Sequence, residues 1–388
     1  MKLLLYSWGS NNDGVLKKNL IVLGHEITDF KQKCTHYTRD MELASNMILK
    51  IRECGAEGVI SFNYIPIVSM VCETLKIPYY SWVYDCPHFT LYSGSINSPV
   101  NHVGIFDAKM VDNLKKYGVN SAFYLPLAVD TDLFDGRIKQ ATAIERQRYS
   151  ADVSFVGSLY SDVHDYYNSI FDSKTQEKVD SMILKQAFEY EKDYIEEAIK
   201  TGELLINQAL DKMAELGLGL GEEYFADPID ILIPSVFDKH ITVEERYSLM
   251  KKLAESSDQF DFKLYTGSDT DIKNYGRVDY YNEMPFVFAN SKINLNVSLR
   301  SIKGGIPLRV LDIMACGGFV MTTPNEEIVN LFEDGKEIVI FNGVEDCFSK
   351  IKYYLENEDE RLKIADNGLK AVKERFTYKN MINKLLFD

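Results

Sequence analysis

The run NVSLRSIKGGIPLRVLDIMACGG, from Asn296 to Gly318, admits few backbones. It reads as the end of a buried strand, a glycine loop, and a helix with Pro307 at its first position, where the missing N–H costs no hydrogen bond and φ is already helical. A helix start of this kind is an anion site. Free backbone N–H groups and the positive end of the helix dipole converge there, and Gly304 and Gly305 let a phosphate approach. Arg300, Ser301, Lys303 and Arg309 supply charge and hydrogen bonds. Asp312 follows Arg309 by three residues, so both lie on one helix face, and a diphosphate at the loop would bring a ribose within reach of Asp312. The plainer reading is a loop and helix that only pack an α/β domain.

The rest of the chain is consistent with that demand, because apolar strands alternate with amphipathic helices from the start. Leu3–Ser7, His25–Phe30, Gly58–Phe62, Pro78–Tyr84, Val103–Phe106 and Ala122–Leu127 are expected strands. Helices are expected over Val15–Leu23, Arg39–Cys54, Ile65–Leu75 and Ala108–Tyr117. This predicts a doubly wound, mostly parallel sheet with ligands outside the carboxyl ends of its strands, at Trp8–Asn12, Asn63–Tyr64, Asp85–His88 and Asp107. A second α/β unit opens at Ala151–Val156 and resumes at Phe260–Tyr265. Between them, residues 160–257 carry almost no strand pattern and read as helices, for instance Thr175–Ile199 and Glu203–Leu216. They are expected to form a helical insertion that packs beside the second domain or recognises an acceptor.

Composition excludes several classes. A chain of 388 residues implies two or three domains. A net charge of −15 argues against a nucleic-acid partner, which needs a basic face. The six cysteines have no C-x-x-C spacing and read as reduced thiols of a cytoplasmic protein. MKLLLYSWG is expected to be a first strand and not a signal peptide, and no stretch reaches the length of a membrane span. The histidines His25, His36, His88, His102, His164 and His240 form no metal-binding pattern, so no metal is expected. Asp130-Thr131-Asp132 is read as a turn and helix start.

The run GGIPLRVLDIMACGGFVMTTPNEEI, followed by LFEDGKEIVIFN, resembles the C-terminal signature of GT-B glycosyltransferases, and within them the CgeB-like, spore-maturation type branch, related to glycosyltransferase family 4. The first 135 residues resemble the N-terminal half of that branch. The resemblance implies two Rossmann-like domains facing a cleft: 1–135 on the acceptor side, 136–375 for the nucleotide-sugar, and 376–388 as a helix crossing back. It implies sugar transfer from a nucleotide-sugar, UDP-linked, to a hydroxyl of a protein or glycan, with no cofactor and no metal. Val278–Pro285 resembles the segment along the nucleotide base, so Tyr280 and Asn282 join the donor site. Family 4 relatives carry two glutamates eight positions apart, the second aligned with Asp312; here Gly304 stands at or near the first.

An inverting transfer also needs a base. Asp85, in Trp82–His88 at a strand end, is the candidate, with His88 to orient it or touch the sugar. Equally, Asp85 is a turn residue ahead of Pro87 and His88 a satisfied loop histidine. Ser10, Asn11, Asn63 and Tyr64 are the expected acceptor walls. Retention and inversion both stay open, as does a non-catalytic GT-B-like protein of a surface or spore-coat assembly.

Overall fold

The computed structural model describes residues 1–161, 167, 169–215 and 224–387. Six strands, β1 (Lys2–Ser7), β2 (Glu26–Lys31), β3 (Gly58–Phe62), β4 (Tyr79–Val83), β5 (Asn101–Ile105) and β6 (Ala122–Tyr124), form a sheet in the order β2-β1-β3-β4-β5-β6. All neighbours run parallel. Every residue of β3 and β4 is buried, because helices cover both faces; this is why those strands are apolar apart from Ser61 and Ser81 instead of alternating. The second sheet, β7 (Ala151–Val156), β8 (Phe262–Tyr265), β9 (Ser291–Asn296), β10 (Val320–Thr322) and β11 (Val339–Ile340), is also parallel, in the order β11-β10-β9-β7-β8.

The last helix, Tyr378–Phe387, lies on the first sheet. Its Met381, Ile382, Leu385 and Leu386 pack with Leu3, Leu5, Trp82 and Leu125. A hydrogen bond from Val129 N to Phe376 O (3.0 Å) fixes the crossing. The chain therefore returns to the domain in which it began.

The helical insertion differs from expectation at its C-terminal end and within its first long helix. Helix Asp238–Glu255 belongs to the second domain proper: Leu249, Met250 and Leu253 pack with Val153, Leu264 and Ile293, making it the crossover that leads into β8. The insertion thus ends near Phe237 and not near residue 257. It has its own core, with Val179, Ile183, Ile195, Ala209, Leu232 and Phe237. The single helix expected over Thr175–Ile199 is two, Ser173–Gln186 and Tyr194–Lys200. Phe188 in between has φ of 62°, the left-handed region, and its N–H donates to Glu245 Oε1 at 2.8 Å. Helix Asn207–Glu215 ends one residue before Leu216, which lies outside the described residues.

The insertion also reaches the first domain. Phe225 N donates to Tyr92 O at 2.9 Å, and Tyr224, Phe225, Ala226 and Ile231 pack on the first domain's core. Tyr117 Oη donates to Asp230. The segment from the second domain therefore clasps the first.

Candidate active site in the interdomain cleft

The carboxyl ends of the two sheets face each other, and the second sheet has its topological switch point between β7 and β9, where chain connections leave in opposite directions. Arg246 sits at that point. It is 8% exposed; its Nε donates to Val297 O at 3.0 Å and its Nη1 to Ser158 O at 2.6 Å, tying the loops after β9 and β7 together. Burial lowers the pKa of this guanidinium, and Arg309 nearby adds repulsion. Sequence reading missed Arg246 because a single arginine in an amphipathic helix has no signature; its partners lie about 50 and 90 residues away.

Beside the switch point lies a cleft of about 1170 Å³. Gly157 and Ser158, Thr266–Asp269, Val278–Tyr281 and Arg309 line it, and Asn11 of the first domain closes one side. Tyr281 Oη donates to Asn11 O (3.1 Å) and to Asn12 Oδ1 (2.9 Å), which joins the domains there. The helix after the glycine loop is Leu308–Ala315, with Pro307 at the N-cap and not at the first helical position. Arg309, the second residue of that helix, lines the cleft. Asp312 stands behind it, 1% exposed, its Oδ1 accepting from Tyr280 Oη at 2.7 Å and its Oδ2 3.2 Å from Arg309 Nη1. Burial pushes the Asp312 carboxyl up to about 6, against the pull of Arg309 and Tyr280. Asp312 does not line the cleft. Where the sequence suggested a direct ribose contact, the structure has a carboxylate that braces Tyr280 and Arg309, which do line it. Asn282 is exposed, donates its amide to Asp279 Oδ1 at 2.9 Å and is not among the residues that line the cleft.

The glycine loop has a different neighbour from the one expected. Gly304 N donates to Asp107 Oδ2 at 3.0 Å, and Gly304 O accepts from Ala108 N at 2.7 Å. The other oxygen of Asp107 caps its own helix, Ala108–Lys116, through Lys109 N and Met110 N. Asp107 is fully buried, and burial raises its pKa against these N–H donors. A carboxylate of the first domain thus occupies the position foreseen for a phosphate. The glycines are required for domain contact: a Cβ on Gly305 would lie 2.7 Å from Phe106 O, and one on Gly304 2.9 Å from Lys109 N. Ser301 is buried in the same contact, its Oγ donating to Cys86 O (3.3 Å) while Cys86 Sγ donates to Ser301 O (3.0 Å).

Arg300 and Lys303 are neutralised by the insertion together with helix Asp238–Glu255, which follows it. Arg300 Nη2 donates to Gln186 O (2.7 Å) and to Glu189 O, the carbonyls freed where the helix breaks, and its Nε lies 3.1 Å from Glu245 Oε1. Glu245 is completely buried, and burial pushes its carboxyl up to about 7. Lys303 Nζ lies 3.3 Å from Asp193 Oδ2 and 3.8 Å from Asp238 Oδ2. Neither cation is therefore spare for a diphosphate in this arrangement, contrary to the sequence expectation.

In the first domain, Asp85 is exposed and accepts from Asn63 Nδ2 at 2.6 Å. Asn63, at φ 59°, also receives Tyr84 N on its Oδ1 (2.9 Å), so one amide holds the loop at the end of β4. The next residue is Cys86, bonded to Ser301, which sets Asp85 beside the glycine loop. His88 does not orient Asp85: its Nε2 lies 3.1 Å from Tyr64 O and 2.8 Å from Thr90 Oγ1, and burial lowers its pKa. Tyr64 is fully buried with its Oη on Ser95 Oγ (2.8 Å), a core residue and not an acceptor wall. Ser10 Oγ accepts from Asn12 N at 3.2 Å, shaping the loop that carries Asn11. Among the described residues no group of three or more His, Cys, Asp or Glu is placed to hold a metal ion, and His164 lies outside them. No helix among the described residues is long and apolar enough to cross a membrane.

Residues 246–386 match a family model described as glycosyl transferase-like. An uncharacterized protein of Aquifex aeolicus (strain VF5) is 24% identical over 344 residues, covering 86% of this chain and 80% of its own. Among solved structures, a glycosyltransferase from Rickettsia africae aligns with a TM-score of 0.56 at 12% identity, covering 99% of this chain and 96% of that one. Anabaena Alr3699/HepE in complex with UDP and glucose aligns at 0.54 and 10% identity, covering 99% and 98%. The architecture is that of the GT-B fold, two parallel-sheet domains across a cleft.

Proposed function

We propose that the chain is a glycosyltransferase moving a hexose or N-acetylhexosamine from a UDP-linked donor to a hydroxyl of a protein or glycan, without a metal, as in the CgeB-like branch its motifs resemble. The observation that carries this is the cleft of about 1170 Å³ at the switch point, with Arg309 held toward it by a buried carboxylate. The glycosyl transferase-like match over residues 246–386 supports it, since that stretch spans Arg246, Arg309 and Asp312. UDP is seen in the HepE complexes, and UDP-glucose in one of them. In this reading residues 1–135 serve the acceptor and 136–375 the donor.

The chemistry asks for a stabilised leaving group. As the acceptor oxygen bonds to the anomeric carbon, the bond from that carbon to the phosphate oxygen breaks and its electron pair leaves with the diphosphate. Arg309 and the start of helix Leu308–Ala315 meet that growing charge, and an oriented cation in a partly dry site does so without reorganising. The acceptor proton goes to Asp85 in an inverting reaction or to the departing phosphate in a retaining one. Retention is our preference, because Asp85 is held by Asn63 at a loop and His88 is not placed to support it as a base. Asp85→Asn is therefore expected to lower kcat less than about tenfold, where removal of an obligatory base costs about a hundredfold or more. The anomeric coupling of the product, read by NMR, decides between them: an inverted product overturns the preference.

One observation favours a non-catalytic reading, namely that Asp107 occupies the glycine loop's N–H group. Binding and turnover separate the two. UDP at a hundredfold excess over its Kd is expected to stabilise the chain by about 2.7 kcal/mol through linkage, with EDTA making no difference. Hydrolysis of at least one nucleotide-sugar in a donor panel is expected. Stabilisation without hydrolysis, or a strict metal requirement for binding, counts against the enzyme proposed.

A further inference from the structure

A second cavity, about 510 Å³, lies between the insertion, the glycine loop and the loop after β10. We propose that it holds the transferred sugar ring, and that Asp193 and Asp238, with Lys303 between them, select donors by a pair of adjacent hydroxyls. This rests on the glycosyltransferase reading and adds to it the residues that choose the sugar.

Asp238 is the first residue of helix Asp238–Glu255, is 3% exposed and lines the cavity. Its Oδ2 makes no hydrogen bond among the described residues; Lys303 Nζ, at 3.8 Å, is too far for one. A buried carboxylate oxygen left without a donor is costly, and it marks a place where a ligand's O–H would fit. Burial raises the Asp238 carboxyl to about 6, against the pull of Lys303. Asp193 stands across Lys303. Its Oδ1 caps helix Tyr194–Lys200 through Glu196 N (2.9 Å), and its Oδ2 faces Lys303.

The pattern is acceptor, donor, acceptor. A sugar hydroxyl can donate to a carboxylate and accept from an ammonium at once, so two neighbouring hydroxyls match it. A phosphate brings no donors, and of the cations on the wall Lys109, Arg300 and Lys303 are already paired with Glu326, Glu245 and Asp193, while Glu196 and Asp238 would repel it. A lone ammonium would meet Lys303. The cavity opens at the carboxyl ends of β9 and β10, at Ser298 and Thr323, while the cleft opens at those of β7 and β8. A donor crossing the switch point would place its nucleotide in one and its sugar in the other. The insertion break at Gln186–Asp193, held by Arg300, builds the outer wall.

The test uses the full chain, with UDP, UDP-glucose, UDP-galactose, UDP-N-acetylglucosamine and, for the best donor, its 2-, 3-, 4- and 6-deoxy forms. In the unmodified chain, removal of one or both of two adjacent hydroxyls is expected to lower kcat/KM for donor hydrolysis by a hundredfold or more, because buried polar groups are then left unpaired. Asp238→Asn and Asp193→Asn, near-isosteric changes that keep the cap at 193, are expected to lower kcat/KM about a hundredfold while the inhibition constant of UDP stays within about threefold. A flat response to deoxy donors, or equal losses for UDP and the donor in a folded variant, overturns the assignment. If either variant fails to fold, the deoxy series on the unmodified chain decides. No UDP binding to the unmodified chain overturns the glycosyltransferase reading itself; UDP binding with a flat deoxy series overturns only the sugar pocket.

Discussion

Arg309→Ala is expected to lower kcat/KM for the donor by about a hundred- to a thousandfold, the range seen when one preorganised donor to a developing anion is removed. The guanidinium is held in place from behind by Asp312 (3.2 Å) and flanked by the Phe288 ring at 5.5 Å, so little ordering remains to be done when substrate arrives. Binding isotherms should show the loss for UDP and hardly at all for uridine, since the residue answers to phosphate. Truncation also deprives the buried Asp312 of its cation, which raises that carboxyl further and favours its protonated form. Arg309→Lys separates the two effects: it restores the charge beside Asp312 without the planar fork, so stability should return and catalysis only partly. Equal losses for UDP and uridine would assign Arg309 to folding alone.

Gly305→Ala is expected to cost about a hundredfold in kcat with donor binding largely kept. The new methyl would stand 2.7 Å from Phe106 O and 2.9 Å from the Phe106 ring. A backbone oxygen at a strand end cannot step aside, so the first domain must, and a displacement on the order of 1 Å between reacting groups costs about 10²-fold. The strain of overpacking, about 1–3 kcal/mol, should also lower Tm. Gly335→Ala is the control for a glycine change: its φ of 73° carries strain, but no atom within 4 Å would meet the methyl. Thermal unfolding and single-turnover kinetics on both variants check the expectation, and a Gly305→Ala enzyme of normal kcat would show that the interdomain contact is not needed for turnover.

Much of the architecture was legible because it is written locally. Short, nearly continuous apolar runs such as Val59–Phe62 and Tyr79–Val83, each interrupted by one serine, read as strands covered on both faces, and they lie in the centre of the first sheet. The glycine loop and the helix behind Pro307 were legible for the same reason, with a shift of one residue at the helix start. The break within Thr175–Ile199 was not, since its composition suits one helix. Where it opens, Arg300, more than 100 residues away in the chain, donates to the carbonyls of Gln186 and Glu189, a partner that no local pattern announces.

The site divides along the same line. The sequence alone determined that basic side chains, two glycines and Asp312 gather between β9 and β10, because spacing along one loop and one helix face is a local property. The tertiary structure alone decided which charges are spent and which remain. Lys303 finds Asp193 in the insertion, Arg300 finds Glu245 on the helix that follows it, the Gly304 N–H finds Asp107 from the other domain, and Arg246 finds the carbonyls that flank the switch point. Arg309, braced from behind by Asp312, is left on the wall of the large cleft. The physical reason is that a charge is compensated by whatever lies within a few ångströms, and which groups those are depends on the packing of two domains and an insertion whose contacting residues are far apart in the chain.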